Sequence, residues 1–175
     1  MDFYDIVGSE CEFDEKFAAR LGYRQVFVAG KDIVVADADR EGPSHAAYIA
    51  KGGNVSRLVY HVKNGARGVI TEDFNLEAKL LEAMAACGCV AVICTDRIIG
   101  AAAESRSRML YKASRMFSNA RKCDVNIALV SMARSRAYME SYMQLVELGK
   151  LIGADDRYAR HMISGVNGFL VGVHD

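Results

Sequence analysis

The sequence holds no tryptophan, one proline and only four histidines in 175 residues. His45, His61, His161 and His174 lie far apart, and neither H-x-H nor H-E-x-x-H occurs. Metal-dependent hydrolysis draws on clustered His, Asp and Glu, so the usual signature of that chemistry is missing. A P-loop, a G-x-G-x-x-G after a strand and a G-x-S-x-G elbow are missing too, which removes the common phosphate-cradle and nucleophile motifs. Gly165, Gly168 and Gly172 have a glycine-rich look but sit in a tail with no helix expected behind them. The five cysteines (Cys11, Cys87, Cys89, Cys94, Cys123) are odd in number and form no C-x-x-C pair. They read as reduced thiols, with Cys89 and Cys94 in an apolar strand-like run rather than at zinc. No apolar run reaches the roughly 18 residues of a membrane span. The start, MDFYDIVGSECEFDEK, is acidic where a signal peptide is basic. A cytoplasmic protein without a membrane partner is the expectation.

Net charge is absent as well, with 22 bases against 22 acids. Its distribution is uneven. Residues 1–50 carry ten acids and five bases, whereas residues 97–122 carry seven bases and one acid, Glu104. From about Ser105 this basic stretch has helical periodicity. Met109, Leu110, Ala113, Met116, Phe117 and Ala120 share one face. Arg108, Lys112, Arg115 and Lys122 share the opposite one. Like charges four apart repel by a few tenths of a kcal/mol, and no acid on this helix sits between them. The pattern fits an ordinary basic surface helix or a surface that tracks phosphates; the displacement of the acids to the other end of the chain favours the second.

Hydrophobic content of 51% and a length of 175 residues suit one domain with a real core, residues 1–175. Strands are expected at Phe3–Val7, Gln25–Ala29, Asp32–Ala36, His45–Ala50, Gly68–Thr71, Val90–Cys94 and Ile127–Val130. Between or after them fall helices over Asp14–Leu21, Asn54–Asn64, Leu76–Ala86, the basic helix, Tyr138–Ile152 and Asp155–Ile163. Apolar strands alternating with helices indicate a parallel α/β architecture. An open doubly wound sheet and a closed barrel give the same alternation. Asp2 and Asp5 flank the first strand and could meet Asp96 at strand ends, but all three read mainly as solvated loop carboxylates. Ser131 stands where barrel enzymes place catalytic groups, but without a neighbouring base it reads as a loop or capping serine.

Several segments, in order, resemble the third protein component of archaeal ribonuclease P, the family of the thirty-kilodalton eukaryotic subunit. They are NGARGVIT (64–71), LLEAMAACGCVAVIC (80–94), TDRIIG (95–100), RSRMLYKASRMF (106–117), ARKCDVNIALVSMA (120–133) and LVELGKLIGA (145–154). The resemblance covers about half the chain. It implies a TIM-barrel-like (β/α) fold related to the polymerase and histidinol phosphatase domains, here shortened by a strand or helix, and without their metal-dependent activity. It also implies a cytoplasmic ribonucleoprotein subunit for removal of the 5′ leader from precursor tRNA, in an endoribonuclease whose hydrolytic chemistry is carried by RNA. Its partners would be ribonuclease P RNA, protein component 2 and other ribonuclease P proteins. Magnesium would serve the RNA-catalysed reaction, with no cofactor on the protein. Before the Tyr138 helix the family tends to carry a tryptophan and arginines; here Glu140 and Met143 fall at the arginine positions, and Arg134 and Arg136 stand nearby instead.

The expected RNA-binding residues are therefore Arg97, Arg106, Arg108, Lys112, Arg115, Lys122, Arg134 and Arg136, with no catalytic and no metal residues. The alternative is a small barrel hydrolase or isomerase using these bases on an anionic, phosphate-bearing substrate. A purely structural interaction protein is the third reading.

Overall fold

The computed structural model describes residues 1–43 and 47–173. The start of the strand expected from His45 and the last histidine, His174, lie outside the described residues. All seven expected strands form, and every pairing is parallel. β1 (Tyr4–Val7) pairs with β2 (Gln25–Val28). β3 (Val34–Asp37), β4 (Tyr48–Gly52), β5 (Ala66–Thr71), β6 (Val90–Cys94) and β7 (Ile127–Val130) form a five-stranded sheet in chain order. The protein is thus a mixed α/β fold built on a parallel sheet.

The helices begin where side chains satisfy their first N–H groups. Asp14 accepts from the Phe17 N–H to open α1 (Glu15–Arg20), and Asn54 accepts from Arg57 to open α2 (Val55–Lys63). α3 (Ala78–Cys87) stops at Gly88, whose φ of +64° suits glycine. A short α4 (Asp96–Ile99) precedes the basic helix α5 (Ala103–Lys122). The helix expected from Tyr138 starts later. Residues Arg136–Tyr138 make a 3-10 turn, and a reciprocal capping box of Ser141 and Gln144 launches α6 (Tyr142–Leu151). Asp155 caps α7 (Asp156–Ile163).

The C-terminal tail departs from expectation, because Gly165–Val171 forms an eighth helix, α8. Two glycines within it, Gly165 and Gly168, argue against a helix on propensity. Burial overrides this: Val166 and Leu170, four apart, are both buried.

Two apolar layers result. One face of all seven strands gathers on a single cluster that includes Ile6, Phe27, Ile49, Ile70, Val92 and Val130, with Ile33 just before β3 and the partly buried Val35 of β3, closed at one end by Val166 and Leu170 of α8. The other faces pack against the helices in a second cluster, with Val69, Leu80, Ile93, Met116, Leu129, Leu145 and Met162. Gly68 makes room for α8; a Cβ there would sit 2.8 Å from Leu170 Cδ2 and 3.0 Å from Val92 Cγ2.

The two sheets meet at both edges through isolated hydrogen bonds. Ala29 and Ile33 form a single parallel bridge between the β2 and β3 ends. At the β1/β7 edge, Met132 N–H donates to Ile6 C=O at 2.8 Å and Gly8 N–H donates to Ala133 C=O at 2.9 Å. At the other end of that edge, the buried Asn167 amide donates to the Tyr4 and Leu129 carbonyls, at 2.8 and 2.9 Å. Buried backbone acceptors need partners, and a side chain from α8 supplies them where the strands do not pair.

Candidate functional site

The strand ends surround a cleft of about 830 Å³. Every strand or the loop after it contributes: Glu10 after β1, Gly30 after β2, Val35 of β3, Lys51 of β4, Glu72 and Asp73 after β5, Cys94 and Asp96 at β6, and Met132 and Arg134 after β7. Parallel α/β folds place ligands at this end, where loops vary over a rigid sheet. Met132 holds a φ of +49°, a left-handed conformation uncommon outside glycine. Its N–H bond to Ile6 holds it there.

The cleft neutralises its own charge. Arg97 does not reach into solvent: its guanidinium donates to the Thr71 carbonyl at 3.0 Å and to the Glu72 carbonyl, and lies over the Phe74 ring with 5.2 Å to its centre. Asp96 is half-buried. Burial pushes its carboxyl above the usual range, while the Arg97 backbone N–H and the charges of Arg134, Arg97 and Lys51 pull it back. Asp2 does not approach Asp96; it pairs with Arg24. Among the described residues no group of three His, Cys, Asp or Glu side chains is placed to hold a metal ion.

Asp5 is the largest change from the solvated carboxylate expected. It is fully buried, and its Oδ1 accepts from the backbone N–H of Ser131 at 2.7 Å and of Ile6 at 2.8 Å. Oδ2 has no partner. Burial raises its pKa to about 6, against the pull of these hydrogen bonds. Ser131 is buried too and belongs to the same seam; its hydroxyl accepts from the Ala133 N–H at 3.3 Å. Glu140, at a position where the resemblance leads one to expect arginine, is buried, with its carboxylate accepting from the Thr95 hydroxyl at 3.1 Å. Burial raises its pKa to about 7, with the charges of Asp5 and Asp96 adding to the rise. The Tyr23 hydroxyl donates to the Glu140 carbonyl at 2.8 Å. Met143, in contrast, is exposed. His61 is a core histidine, its ring nitrogens within 3.1–3.2 Å of Tyr48 Oη and of the Ala38 and Arg40 carbonyls.

The basic helix presents a different surface. Ala113, Met116, Phe117 and Ala120 are buried and Met109 and Leu110 are half-buried against the same core. The opposite face exposes Arg108, Tyr111, Arg115 and Lys122. Among the described residues no ion pair or hydrogen bond engages Arg108, Arg115 or Lys122. Lys112 lies 3.6 Å from the exposed Asp73 carboxylate, a solvent-screened pair. The other expected RNA contacts are held by the chain itself. Arg106 donates to the Ile99 and Ala101 carbonyls at 3.0 and 3.1 Å. Arg136 pairs with Asp14 at 3.2 Å and stacks on Phe17. Arg134 is exposed at the cleft rim, separate from the α5 stripe. The periodicity of α5 foretold its faces; the tethering of Arg97, Arg106 and Arg136 left no mark in the sequence, because the partners are backbone carbonyls for the first two and, for Arg136, the side chains of Asp14 and Phe17, more than a hundred residues away.

The fold class is that of parallel α/β proteins, and solved structures share it. No family model matches the sequence, and no curated protein matches it. The crystal structure of A. niger ochratoxinase is similar, with a TM-score of 0.53 and 16% identity over 71% of this chain. The crystal structure of an uncharacterized protein is similar too, with a TM-score of 0.54 and 12% identity over 74% of this chain. The chain spans only 30% and 34% of the lengths of these two proteins. At such identities the likeness is one of fold alone. Among the described residues no helix is long and apolar enough to cross a membrane.

Proposed function

We propose that this chain is a non-catalytic protein subunit of ribonuclease P that binds the catalytic RNA in the cytoplasm. In this reading the seven strands form one shortened barrel, split at the β2/β3 and β1/β7 seams, that carries the α5 surface. The observation that carries the reading is the exposed face of α5, with Arg108, Arg115 and Lys122 unengaged and Lys112 held only by a solvent-screened pair. A protein of zero net charge that isolates such a stripe offers phosphates a site. Lys112 joins the stripe by exchanging Asp73 for a phosphate, and Arg134, apart from the stripe at the cleft rim, offers a further phosphate contact. Arg97, Arg106 and Arg136 act mainly by holding the surrounding loops. Protein component 2 and other subunits are the protein partners of this reading. In it, magnesium serves the RNA-catalysed reaction.

The test is salt-dependent binding of the purified chain to ribonuclease P RNA, together with precursor-tRNA cleavage by the assembled particle. Binding is expected to weaken steeply with salt, and the chain alone is expected to leave precursor tRNA intact. Cleavage by the chain freed of RNA would overturn the assignment.

The cleft favours a second reading, a hydrolase or isomerase for an anionic, phosphate-bearing substrate. Lys51 and Arg134 would hold the anion and Asp96, its carboxyl raised by burial, would serve as acid or base. Turnover of phosphate esters without RNA, lost in Asp96→Asn, would establish it.

A further inference from the structure

Between α5 and the loop after β5 runs a groove of about 400 Å³ that adjoins the cleft at Asp73. Tyr111 lies on it with Arg108 three residues before and Arg115 four residues after, so all three share one helix face. The two guanidinium-bearing positions are about 10 Å apart along the axis. Tyr111 is 64% exposed, an aromatic ring set in water between two cations. Asn119 of α5 and Asn75 of the facing loop put amide groups on opposite walls. Among the described residues no hydrogen bond engages either amide side chain. The loop is held in place: the neighbouring Phe74 is buried, has a φ of +52° and lies beneath Arg97.

A bare phosphate-tracking face has no use for an exposed ring inside a groove. Duplex RNA buries its base faces in the stack and presents phosphates and 2′-hydroxyls. An unpaired base offers a flat face to an aromatic side chain and a polar edge to amides. An acidic peptide would satisfy the cations but leave the ring and the paired amides idle.

We propose that this groove is a nucleobase slot: one unpaired base of a single-stranded RNA segment stacks on Tyr111, with flanking phosphates on Arg108 and Arg115. The proposal rests on the RNA-binding reading above and sharpens it from phosphate tracking to recognition of a single-stranded element.

The experiment measures binding of the full chain, at fixed salt, to fluorescent oligoadenylate and to a matched RNA duplex. Tyr111→Ala is expected to weaken oligoadenylate binding roughly tenfold or more and to leave duplex binding unchanged. Tyr111→Phe keeps the ring and is expected to retain affinity. Arg108→Glu with Arg115→Glu is expected to weaken both RNAs. If Tyr111→Ala changes neither RNA, or both equally, while the charge reversal still weakens binding, the slot is overturned and the RNA-binding reading survives. If the charge reversal also leaves both unchanged, the reading itself falls. Tyr111-dependent binding of a polyglutamate peptide, tighter than that of oligoadenylate, would overturn the slot as well. Matching thermal melts of all variants confirm the fold; Tyr111 is exposed and its loss leaves no core cavity.

Discussion

The cleft at the strand ends and the outer face of α5 use the same cations in opposite ways. In the cleft, Arg97 is tied to two carbonyls, while Lys51 and Arg134 share the space with Glu72, Asp73 and Asp96. Buried Asp5 and Glu140 stand nearby in the seam behind it. Arg97 and Asp5 hold strands and loops together there. On α5, Arg108, Arg115 and Lys122 find no internal partner among the described residues, and an external anion would relieve their mutual repulsion. Charge that the fold consumes is structural, and charge left unmatched on a rigid helix is available for binding.

The largest expected effect tests how α5 is anchored. Phe117→Ala should destabilise the protein by about 3–5 kcal/mol in urea unfolding, because Phe117 packs edge-on to Tyr158 at 5.8 Å and is only 8% exposed. A loss below about 1 kcal/mol would mean that the basic face does not rest on a fixed support.

The buried acids of the seam give the next effect. Both carboxyls are raised by burial, so the folded state keeps protons that the unfolded chain has released. Stability should be highest at the acid side of the window and fall as pH rises from about 4 toward 6 for Asp5 and toward 7 for Glu140. Asp5 should account for on the order of 2–3 kcal/mol of that fall. Asp5→Asn keeps an acceptor for the two N–H groups and should flatten the lower part of the curve; Glu140→Gln should flatten the upper part. Denaturant melts across the window read this directly, and a flat profile there would show that the acids titrate as solvated groups.

Charge reversal on the two surfaces sharpens the contrast. Arg108→Glu with Arg115→Glu should lower affinity for ribonuclease P RNA roughly tenfold or more, and each lost contact should reduce the log–log salt slope by somewhat under one unit. Arg97→Ala should leave that slope unchanged and show itself in stability, since its donors serve Thr71 and Glu72. A reduced slope for Arg97→Ala would erase the distinction between tethered and open cations.

The smallest effect is in the thiols. Cys94 on the cleft floor and Cys89 are buried, with thiols pushed up to about 12, whereas Cys87 is exposed and Cys123, just beyond α5, is half-buried. Labelling of the native protein should take Cys87 first, Cys123 next, and Cys89, Cys94 and the buried Cys11 only on unfolding. Fast labelling of Cys94 would show that the cleft opens deeper than the structure has it.

Most of the fold was legible in the sequence. The runs Val90–Cys94 and Ile127–Val130 read as strands because every residue in them is apolar, and in the structure every one is buried. Asp14, Asn54 and Asp155 marked helix starts through their own side-chain chemistry. The α5 surface was readable too, since a 3.6-residue period sorts Phe117 from Arg115 without any tertiary information.

The rest came from contacts far apart in the chain. Helix α8 forms against its glycines because Leu170 fills the space above Gly68, about a hundred residues earlier. Asp5 looks like any carboxylate beside a strand until Ser131, 126 residues away, donates to it. The cleft and the groove likewise exist only because successive strand ends and loops converge. Local sequence determined which segments are helix or strand and which helix face is charged, since period, capping and turn chemistry act within a few residues. Only the tertiary structure decided which charges are spent internally, because their partners are backbone groups and distant side chains brought together by the parallel sheet.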